Sequence, residues 1–333
     1  MTDKPVTSIL DTIGNTPIVE LNLEHNTENW KIFAKLEFLN PTGSIKDRIA
    51  KYVIEQAEKR KELNQNSIIV EATSGNTGIS FAMVCAVKGY KCLIVMPENV
   101  SIERQKILMM LGAEICLTPQ DEFYQGAVQR TRKIAQNNPA VFLPKQFENP
   151  EDIDCHYETT AEEIRKQMHG KRIDAFVAGV GTGSTLTGVG KKLREINPNC
   201  KLIAVEPEES AVLTGCKKPG QHQIFGIGTG FIPALVNVNQ IDWCEPIKSN
   251  DAVQMARKIC QKYGMMVGVS SGANVLGAIR VLEKIGKDKT VVTVLPDRSE
   301  RYFSTELYQG KKDTIIRNCR QGCENPFCID GTV

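Results

Sequence analysis

The fold is indicated most clearly by the stretch Ala175-Phe176-Val177-Ala178-Gly179-Val180-Gly181-Thr182-Gly183-Ser184-Thr185. Its first half is an apolar run of strand length, and its second half is a glycine-rich turn that carries three hydroxyl side chains. The following segment, 186–193, has helical periodicity. A strand, a glycine-rich turn and a helix in this order bring main-chain N–H groups and the positive end of the helix dipole to a phosphate. The alternative for such a motif alone is an ordinary tight turn.

The spacing restricts the kind of phosphate. Counted from Gly179, the dinucleotide fingerprint requires a glycine where Ser184 stands. The P-loop ending, glycine and lysine followed by serine or threonine, occurs nowhere in the sequence. The turn therefore suits a single terminal phosphate better than a diphosphate.

On either side of this stretch, short β-rich runs alternate with amphipathic helical patterns, which predicts parallel sheets covered by helices on both faces. The predicted strands are Ile32–Leu36, Ser67–Glu71, Lys91–Met96, Glu114–Leu117, Val141–Pro144, Ala175–Val180, Lys201–Val205 and Thr290–Leu295. The predicted helices include Ile45–Lys59, Ile102–Leu111, Phe123–Gln136, Tyr157–Met168, Asp251–Lys262 and Ala273–Lys284.

Further glycine-rich turns stand near strand-to-helix transitions, at Gly75–Gly78, Gly226–Gly230 and Gly268–Gly272. In open α/β sheets such turns face the crevice where ligands bind, so we expect them to converge on one cleft. The polar, proline-containing stretch Asn149–Asp152 is a plausible crossing between domains.

Composition favours small-molecule chemistry. The 333 residues suffice for one large or two closely packed domains, and the net charge of +2 indicates no affinity for nucleic acid or an anionic membrane. No targeting segment or membrane-length apolar run is visible. Most of the 11 cysteines stand singly in apolar or helical patterns, as reduced thiols do, so we expect a cytoplasmic protein. His156 and His222 are predicted to be polar surface or loop residues.

Two further segments carry candidate site residues. Thr73-Ser74-Gly75-Asn76-Thr77-Gly78 follows a predicted strand and precedes a helix, and its three hydroxyls and one amide suit a carboxylate. The alternative, a plain helix cap, needs only one such residue. Lys46 opens a predicted helix, where a lysine is usually solvated and where its charge opposes the helix dipole. A lysine kept neutral as an imine would avoid that cost.

At these residues the sequence resembles the cysteine synthase and cystathionine β-synthase family of pyridoxal-phosphate enzymes. The resemblance covers nearly the whole chain. Its motifs are Ile13–Pro17, Asn40–Arg48, Thr73–Gly78, Gln146–Pro150, Gly181–Thr185, Val205–Pro207, Gly226–Pro233, Ser270–Gly272 and Glu300–Thr305.

The resemblance implies roles for individual residues. Lys46 would form the Schiff base with pyridoxal 5'-phosphate, and Asn76 would bind the 3-hydroxyl of its ring. Ser270 would bind the pyridine nitrogen, although the adjacent Ser271 and a plain helix cap remain alternatives. The cofactor phosphate would be held by Gly181, Thr182, Gly183, Ser184 and Thr185. The substrate would be held by Thr73, Ser74, Asn76, Thr77, Gln146, Gly228 and Thr229.

The resemblance also implies the fold, an α/β architecture of two open, mainly parallel sheets flanked by helices, as in tryptophan synthase β. We expect a smaller domain at 42–150, a larger domain from 1–41 plus 151–310, and a tail at 311–333. The tail contains Cys319, Cys323 and Cys328, whose spacing matches no familiar zinc or cluster pattern, and no metal site is predicted. A homodimer and a serine acetyltransferase partner are further expectations.

The implied reaction is β-replacement on an O-activated serine, with O-acetylserine and sulfide as the first choice. The loop Gly226–Pro233, GIGTGFIP, is close to the GIGAGF common in cysteine synthases, with Thr229 in place of alanine. Other departures are Ser184 in the phosphate turn and the sequence Asp297-Arg298-Ser299 before Glu300. Two alternatives stay open. One is a cystathionine β-synthase or a cysteine lyase that releases sulfide, and the other is a non-catalytic binding or sensor protein with this fold.

Overall fold

A computed structural model describes residues 5–73, 75–216 and 218–309. The strands are β1 (Ile18–His25), β2 (Glu28–Lys35), β3 (Ile68–Ala72), β4 (Lys91–Pro97), β5 (Glu114–Thr118), β6 (Val141–Phe142), β7 (Ala175–Gly179), β8 (Lys201–Pro207), β9 (Trp243–Ile247) and β10 (Val291–Val294). The helices are α1 (Lys46–Lys59), α2 (Asn76–Lys88), α3 (Ile102–Met110), α4 (Phe123–Asn137), α5 (Glu151–Cys155), α6 (Ala161–Gln167), α7 (Ser184–Ile196), α8 (Ser249–Tyr263) and α9 (Val269–Ile285).

The strands form two sheets. One has six strands in the order β1-β2-β10-β7-β8-β9, and the other has four in the order β5-β4-β3-β6. Across the described residues, neighbouring strands run parallel except for β1 and β2, which are antiparallel. The predicted fold class, two mainly parallel sheets flanked by helices, is confirmed.

Strand β7 shows why its apolar run does not alternate with polar residues. Val177 packs into the core that α8 and α9 cover, whereas Phe176 packs on the opposite face with residues of α6 and α7. Both side chains are fully buried. A parallel strand covered on both faces needs apolar residues at every position.

The smaller sheet is covered in the same way. Ile69 of β3 packs with α1 and α2, while its neighbour Val70 packs against α4. This sheet takes its strands from residues 68–142, and the larger sheet takes its strands from residues on both sides of that range. On this arrangement we propose the domain division at 42–150 and at 1–41 plus 151–310. The tail at 311–333 lies outside the described residues.

Some elements differ from the sequence-based prediction. Strands β1 and β9 were not predicted, and both lie at edges of the larger sheet. The helix predicted over Tyr157–Met168 is part of a longer helical segment that begins at Glu151 and includes a π-helical turn at His156–Thr160. Within the described ranges, none of the helices combines the length and apolar character that a bilayer span requires.

The loops that follow β3, β7, β8 and β10 leave the carboxyl ends of their strands. In open α/β sheets this edge is where ligands bind. The loop after β7 contacts the distant glycine-rich loop 226–230, since Gly228 N donates to Val180 O at 3.0 Å. The predicted convergence of these two glycine-rich turns is therefore observed.

Candidate active site

Lys46 is the first residue of α1, and its side chain is half-buried. The loop before it is fixed to the segment that follows β10. Ile45 N donates to Pro296 O at 2.9 Å, and Arg298 N donates to Gly43 O at 3.0 Å. Gly43 has a φ of +84°, a left-handed conformation that favours glycine. The backbone therefore holds the start of α1 against the edge of the larger sheet.

The environment of Lys46 makes its ammonium form less favourable. Burial lowers the pKa of the Lys46 amine, while the nearby charges of Asp152 and Asp297 act in the opposite direction. Asp152 lies on α5, which packs against α1. Because a neutral amine is the form that attacks carbonyl groups and accepts protons, this environment suits Lys46 for covalent and acid–base chemistry.

Asp152 is the most unusual acid near Lys46. It is buried, and neither of its carboxylate oxygens has a hydrogen-bond partner in the part of the chain that the structure describes. Burial raises the pKa of Asp152 well above its usual value, and the positive charge of Lys46 opposes this shift. The protonation states of Asp152 and Lys46 therefore depend on each other.

The phosphate turn stands at the N-terminus of α7, as predicted. The hydroxyls of Thr182, Ser184 and Thr185 are all buried there, and Thr182 Oγ1 lies 2.9 Å from Ser184 Oγ. Gly183 is the N-cap of α7 with a φ of +88°. A side chain at Gly181 would place its Cβ 2.2 Å from Gly226 O, so only glycine fits between the two loops. Hydroxyls, main-chain N–H groups and a helix N-terminus together suit the terminal phosphate of pyridoxal phosphate.

His156 contacts the phosphate turn. Its Nε2 lies 3.2 Å from Thr185 Oγ1, and its Nδ1 lies 2.9 Å from Thr160 Oγ1. The ring is fully buried, and burial together with the charge of Lys46 lowers its pKa well below the usual value. The prediction of a surface or loop residue is wrong for His156, because its partner Thr185 is distant in the sequence. His222, half-buried with Nε2 2.8 Å from Gly228 O, lies in a loop but is not a fully exposed residue.

The predicted carboxylate loop follows β3 and leads into α2. Thr77 Oγ1 donates to Gln146 Oε1 at 2.7 Å, which joins two predicted substrate residues that are far apart in the sequence. Thr73 Oγ1 accepts from Gly75 N at 3.0 Å, and both threonine side chains are buried. Ser74 lies outside the described residues. The structure therefore brings Thr73, Asn76, Thr77 and Gln146 to one edge of the smaller sheet.

Glu71 was not predicted as a site residue, and its carboxylate binds the main chain next to this loop. Its Oε1 accepts from Ala72 N at 2.9 Å, and its Oε2 accepts from Gln146 N at 3.4 Å. Burial raises the pKa of Glu71 to about 8. Gln146 also donates through Nε2 to Ala72 O at 2.8 Å. The Glu71 carboxylate thus connects the main chain at Ala72, just before the loop, with the main chain at Gln146.

Asn76 and Ser270 begin two neighbouring helices. Asn76 is the first residue of α2, and its Nδ2 donates to Asp297 Oδ2 at 2.7 Å. Ser270 is buried in the first turn of α9, whose N-cap Gly268 donates its N–H to Asp297 O at 2.9 Å. Ser271 Oγ is buried and without a hydrogen-bond partner among the described residues. Both serines therefore stay candidates for a bond to the pyridine nitrogen.

A cavity of about 300 Å³ lies beside the carboxylate loop. Glu71, Gln146, Tyr124, Phe147 and Phe231 are among its lining residues, and the rings of Phe147 and Phe231 are tilted at 53° with centroids 5.7 Å apart. Phe231 belongs to the predicted substrate loop with Gly228 and Thr229. Gly228 has a φ of +68°, and Thr229 Oγ1 donates to Phe231 O at 3.0 Å. Through Gln146 and Phe231 the cavity touches two predicted substrate segments, while Lys46 and the α7 turn are not among the described residues that line it.

These residues fit pyridoxal phosphate as a group. The fit rests on the amine of Lys46 with its lowered pKa, the glycine-rich N-terminus of α7 with its buried hydroxyls, the Asn76 amide and the two serines in the first turn of α9. Asp152, Asp297, Glu71 and His156 were missed, since their burial and partners arise only in the folded chain. One available signal was the i, i+4 spacing of Asp152 and His156, which places them on one helix face.

Comparisons with known proteins identify the family. Residues 9–297 match the family model described as pyridoxal-phosphate dependent enzyme. A cysteine synthase of Staphylococcus aureus is 46% identical over 308 residues, which is 92% of this chain and 99% of that protein.

Solved structures give the same result. A cysteine synthase from Entamoeba histolytica has a TM-score of 0.87 at 42% identity, with 94% of each chain covered. A hydrogen sulfide-producing enzyme from Fusobacterium nucleatum has a TM-score of 0.87 at 41% identity, with 91% of each chain covered. The chain therefore belongs to the family of pyridoxal-phosphate-dependent enzymes, in its cysteine synthase and cystathionine β-synthase group.

Proposed function

We propose that this enzyme converts O-acetylserine and sulfide into cysteine and acetate. The observation that carries the proposal is a half-buried lysine whose pKa burial lowers, at the start of a helix that packs against α2. The glycine-rich N-terminus of α7 and the Thr77–Gln146 pair support it as candidate sites for the cofactor phosphate and the substrate carboxylate. The 46% identity to a cysteine synthase supports the choice of reaction. When bound, pyridoxal phosphate supplies an electron-withdrawing ring that stabilises charge developing at the substrate α-carbon.

The residues of the cleft divide the remaining work. The loop Thr73–Thr77 and Gln146 hold the substrate carboxylate, which orients the bond from the α-carbon to its hydrogen. Lys46 Nζ takes that proton as a general base. Acetate leaves with the electrons of the C–O bond, hydrosulfide forms the new C–S bond at the β-carbon, and Lys46 returns its proton to the α-carbon.

A serine at the pyridine nitrogen favours this outcome over transamination. A hydroxyl does not keep that nitrogen protonated as a carboxylate would, so the ring withdraws electrons less strongly. Charge at the α-carbon is then relieved by prompt loss of the β-substituent. Ser270 takes this role in our proposal, and the neighbouring Ser271 is the alternative.

The loop Gly226–Pro233 supports sulfide as the nucleophile. Its central residues are Gly228, Thr229 and Gly230. The Thr229 hydroxyl donates a hydrogen bond to Phe231 O within the same loop. This arrangement places no charged side chain of the loop at positions 228–230. A small nucleophile needs no dedicated charged partner there.

A second candidate reaction is release of sulfide from cysteine. The structural similarity to a hydrogen sulfide-producing enzyme of Fusobacterium nucleatum favours it as the runner-up. The joining of serine to homocysteine is the remaining alternative on the same scaffold.

One assay separates the three reactions. Purified, cofactor-loaded protein is given O-acetylserine with sulfide, cysteine alone, or serine with homocysteine, and the amino-acid products and sulfide are quantified. We expect the fastest turnover with O-acetylserine and sulfide. Faster release of sulfide from cysteine, or faster cystathionine formation, would replace the proposal by the corresponding alternative.

We further propose a homodimer, supported by exposed apolar side chains on α3, where Met109 is 66% and Met110 89% exposed. Light scattering at the monomer mass would contradict it. A cytoplasmic location is proposed from the free thiols among the described cysteines, such as the buried Cys85 and Cys155. Serine acetyltransferase is the proposed partner, and co-migration of the two proteins on gel filtration tests this.

A further inference from the structure

The side-chain amide of Asn76 is held at both ends. Its Nδ2 donates to Asp297 Oδ2 at 2.7 Å, and its Oδ1 accepts a hydrogen bond from Arg301 Nη1. Asn76 is half-buried, whereas Asp297 and Arg301 are buried. These two partners lie more than 220 positions later in the chain, on the segment that follows β10.

These two hydrogen bonds allow the Asn76 amide only one orientation. A guanidinium only donates hydrogen bonds and a carboxylate only accepts them, so exchanging the oxygen and nitrogen of the amide would oppose both partners. The Asn76 nitrogen has two N–H groups, and Asp297 uses one of them. The second N–H is therefore the group that Asn76 can offer to a ligand in the cleft.

The partners are themselves fixed by further contacts. Arg301 Nη2 donates to Thr42 O at 2.6 Å, in the loop that leads to Lys46. Tyr302 OH donates to the same Asp297 oxygen that accepts from Asn76. The chain of bonds thus joins the Lys46 loop, the start of α2 and the segment after β10.

Two glycines allow these side chains to approach the backbone. A Cβ at Gly43 would lie 2.9 Å from Arg301 Nη2, and a Cβ at Gly268 would lie 2.2 Å from Asp297 Oδ1. A side chain at either position would displace the guanidinium or the carboxylate. The local sequence therefore preserves the space that these contacts require.

We propose that Arg301 and Asp297 are positioning residues that hold the Asn76 amide so that its free N–H faces the ring oxygen of pyridoxal phosphate. The inference rests on the proposed function, in which Asn76 contacts that oxygen. An N–H donor stabilises the oxygen in its anionic form, and a freely rotating amide would present this donor only part of the time.

A double-mutant cycle tests the inference through two properties of the cofactor-loaded protein. The variants are Asn76→Ala, Arg301→Met and the double variant, and the matched control is Arg298→Met. Arg298 lies on the same segment, but its Nε donates to Phe38 O at 2.9 Å. The absorbance maximum of the bound cofactor and the dissociation constant of pyridoxal 5'-phosphate are measured for each protein.

We expect Asn76→Ala to shift the absorbance maximum and to weaken cofactor binding roughly tenfold, the size of one lost charge-assisted hydrogen bond. Arg301→Met should shift the maximum in the same direction, and the double variant should be no worse than Asn76→Ala. Arg298→Met should keep the wild-type spectrum. Additive effects in the double variant would overturn the inference.

The inference and the proposed contact fail in different ways. A wild-type spectrum and affinity for Arg301→Met, together with a shifted spectrum for Asn76→Ala, overturns the positioning role and leaves the contact intact. An unshifted spectrum for Asn76→Ala overturns both. Should Arg301→Met fail to fold by circular dichroism, Arg301→Lys replaces it in the cycle. Lysine keeps the charge but loses the planar fork that reaches both Asn76 and Thr42, so non-additivity with Asn76→Ala is again expected.

Discussion

The N-termini of α1 and α7 carry opposite chemistry. The turn before α7 presents glycines and the hydroxyls of Thr182, Ser184 and Thr185, all of which agree with the positive end of the helix dipole. Helix α1 begins with Lys46, a cation whose charge opposes the dipole. The N-terminus of α7 suits the binding of a negative group, whereas α1 begins with a side chain that is positive in its ammonium form.

The difference shows what each end requires from the rest of the fold. The α7 end needs little more than local sequence, because its donors and glycines are consecutive residues. The environment of the α1 end comes from distant parts of the chain: burial lowers the pKa of Lys46, and Asp152 on α5 and Asp297 after β10 act to raise it. A lysine in this position is unfavourable as a cation, and this favours its use as a neutral, reactive amine.

Lys46→Ala should have the largest effect. Loss of the amine removes both the covalent link to the cofactor and the general base, so cysteine formation should fall at least about a thousandfold. The matched control is Lys51→Ala on the same helix, where Nζ donates to Leu10 O at 3.0 Å. Product formation from O-acetylserine and sulfide is the measurement. Near-normal turnover by Lys46→Ala would show that another lysine does this work.

Gly183→Ala tests the α7 end. The new Cβ would lie 2.2 Å from Val236 Cγ2 at a φ of +88°, so the turn must shift away from its phosphate-binding position. We expect cofactor binding to weaken by about 10- to 100-fold, as for a strain of about 1–3 kcal/mol. Equilibrium dialysis of pyridoxal phosphate measures it.

Gly89→Ala is the control for Gly183→Ala, since Gly89 has a φ of +79° but nothing within 4 Å of an added Cβ. Gly89→Ala has a similar cost in backbone strain but causes no clash, and Gly89 lies at the C-terminal end of α2. It should lower stability while leaving cofactor affinity unchanged. Equal losses of affinity in the two variants would remove the special role of the α7 turn.

Asp152→Asn tests the α1 end, with the smallest expected effect. The carboxylate of Asp152 favours the ammonium form and so raises the pKa of Lys46, against the lowering caused by burial. Without it, the pKa of Lys46 should fall further, and more of the amine is neutral at a given pH. The pH midpoint for capture of pyridoxal phosphate by the apoprotein should move to lower pH by about one unit.

Asp154→Asn is the matched control for this pH shift, because Asp154 lies on the same short helix but is exposed. We expect it to keep the wild-type midpoint. Asp297 and Cys155, which also act to raise the pKa of Lys46, remain in both variants, and burial lowers the pKa of His156 so that its ring stays neutral. A midpoint that moves to higher pH in Asp152→Asn would contradict the assigned role of the carboxylate.

The two helix ends also differ in how far the sequence predicts them. The α7 turn was readable because strand, glycines and hydroxyls are adjacent, and doubly buried strands such as β7 appear as continuous apolar runs. Strand β1 was missed because it is an edge strand with several exposed side chains, and β9 because it is short and contains Pro246.

The surroundings of Lys46 could not be predicted in this way. Asp152 reads as an ordinary acid in a polar stretch, and only the packing of α5 against α1 buries it. His156 was expected at the surface for the same reason, since Thr185, its partner, is brought beside it only by the fold. Resemblance to a known family identified Lys46 and Asn76 as site residues. It marked Asp297 only as a departure from the family pattern and gave no role to Arg301, yet these two residues hold the Asn76 amide.

The most direct test of the central claim is the site of covalent attachment. The cofactor-loaded protein is reduced with borohydride, digested, and its peptides are examined by mass spectrometry for a pyridoxyl group. We predict the modification on Lys46 alone, in the peptide that opens α1. A pyridoxyl group on a different lysine, or an unmodified Lys46 in protein that retains bound cofactor after reduction, would contradict the account.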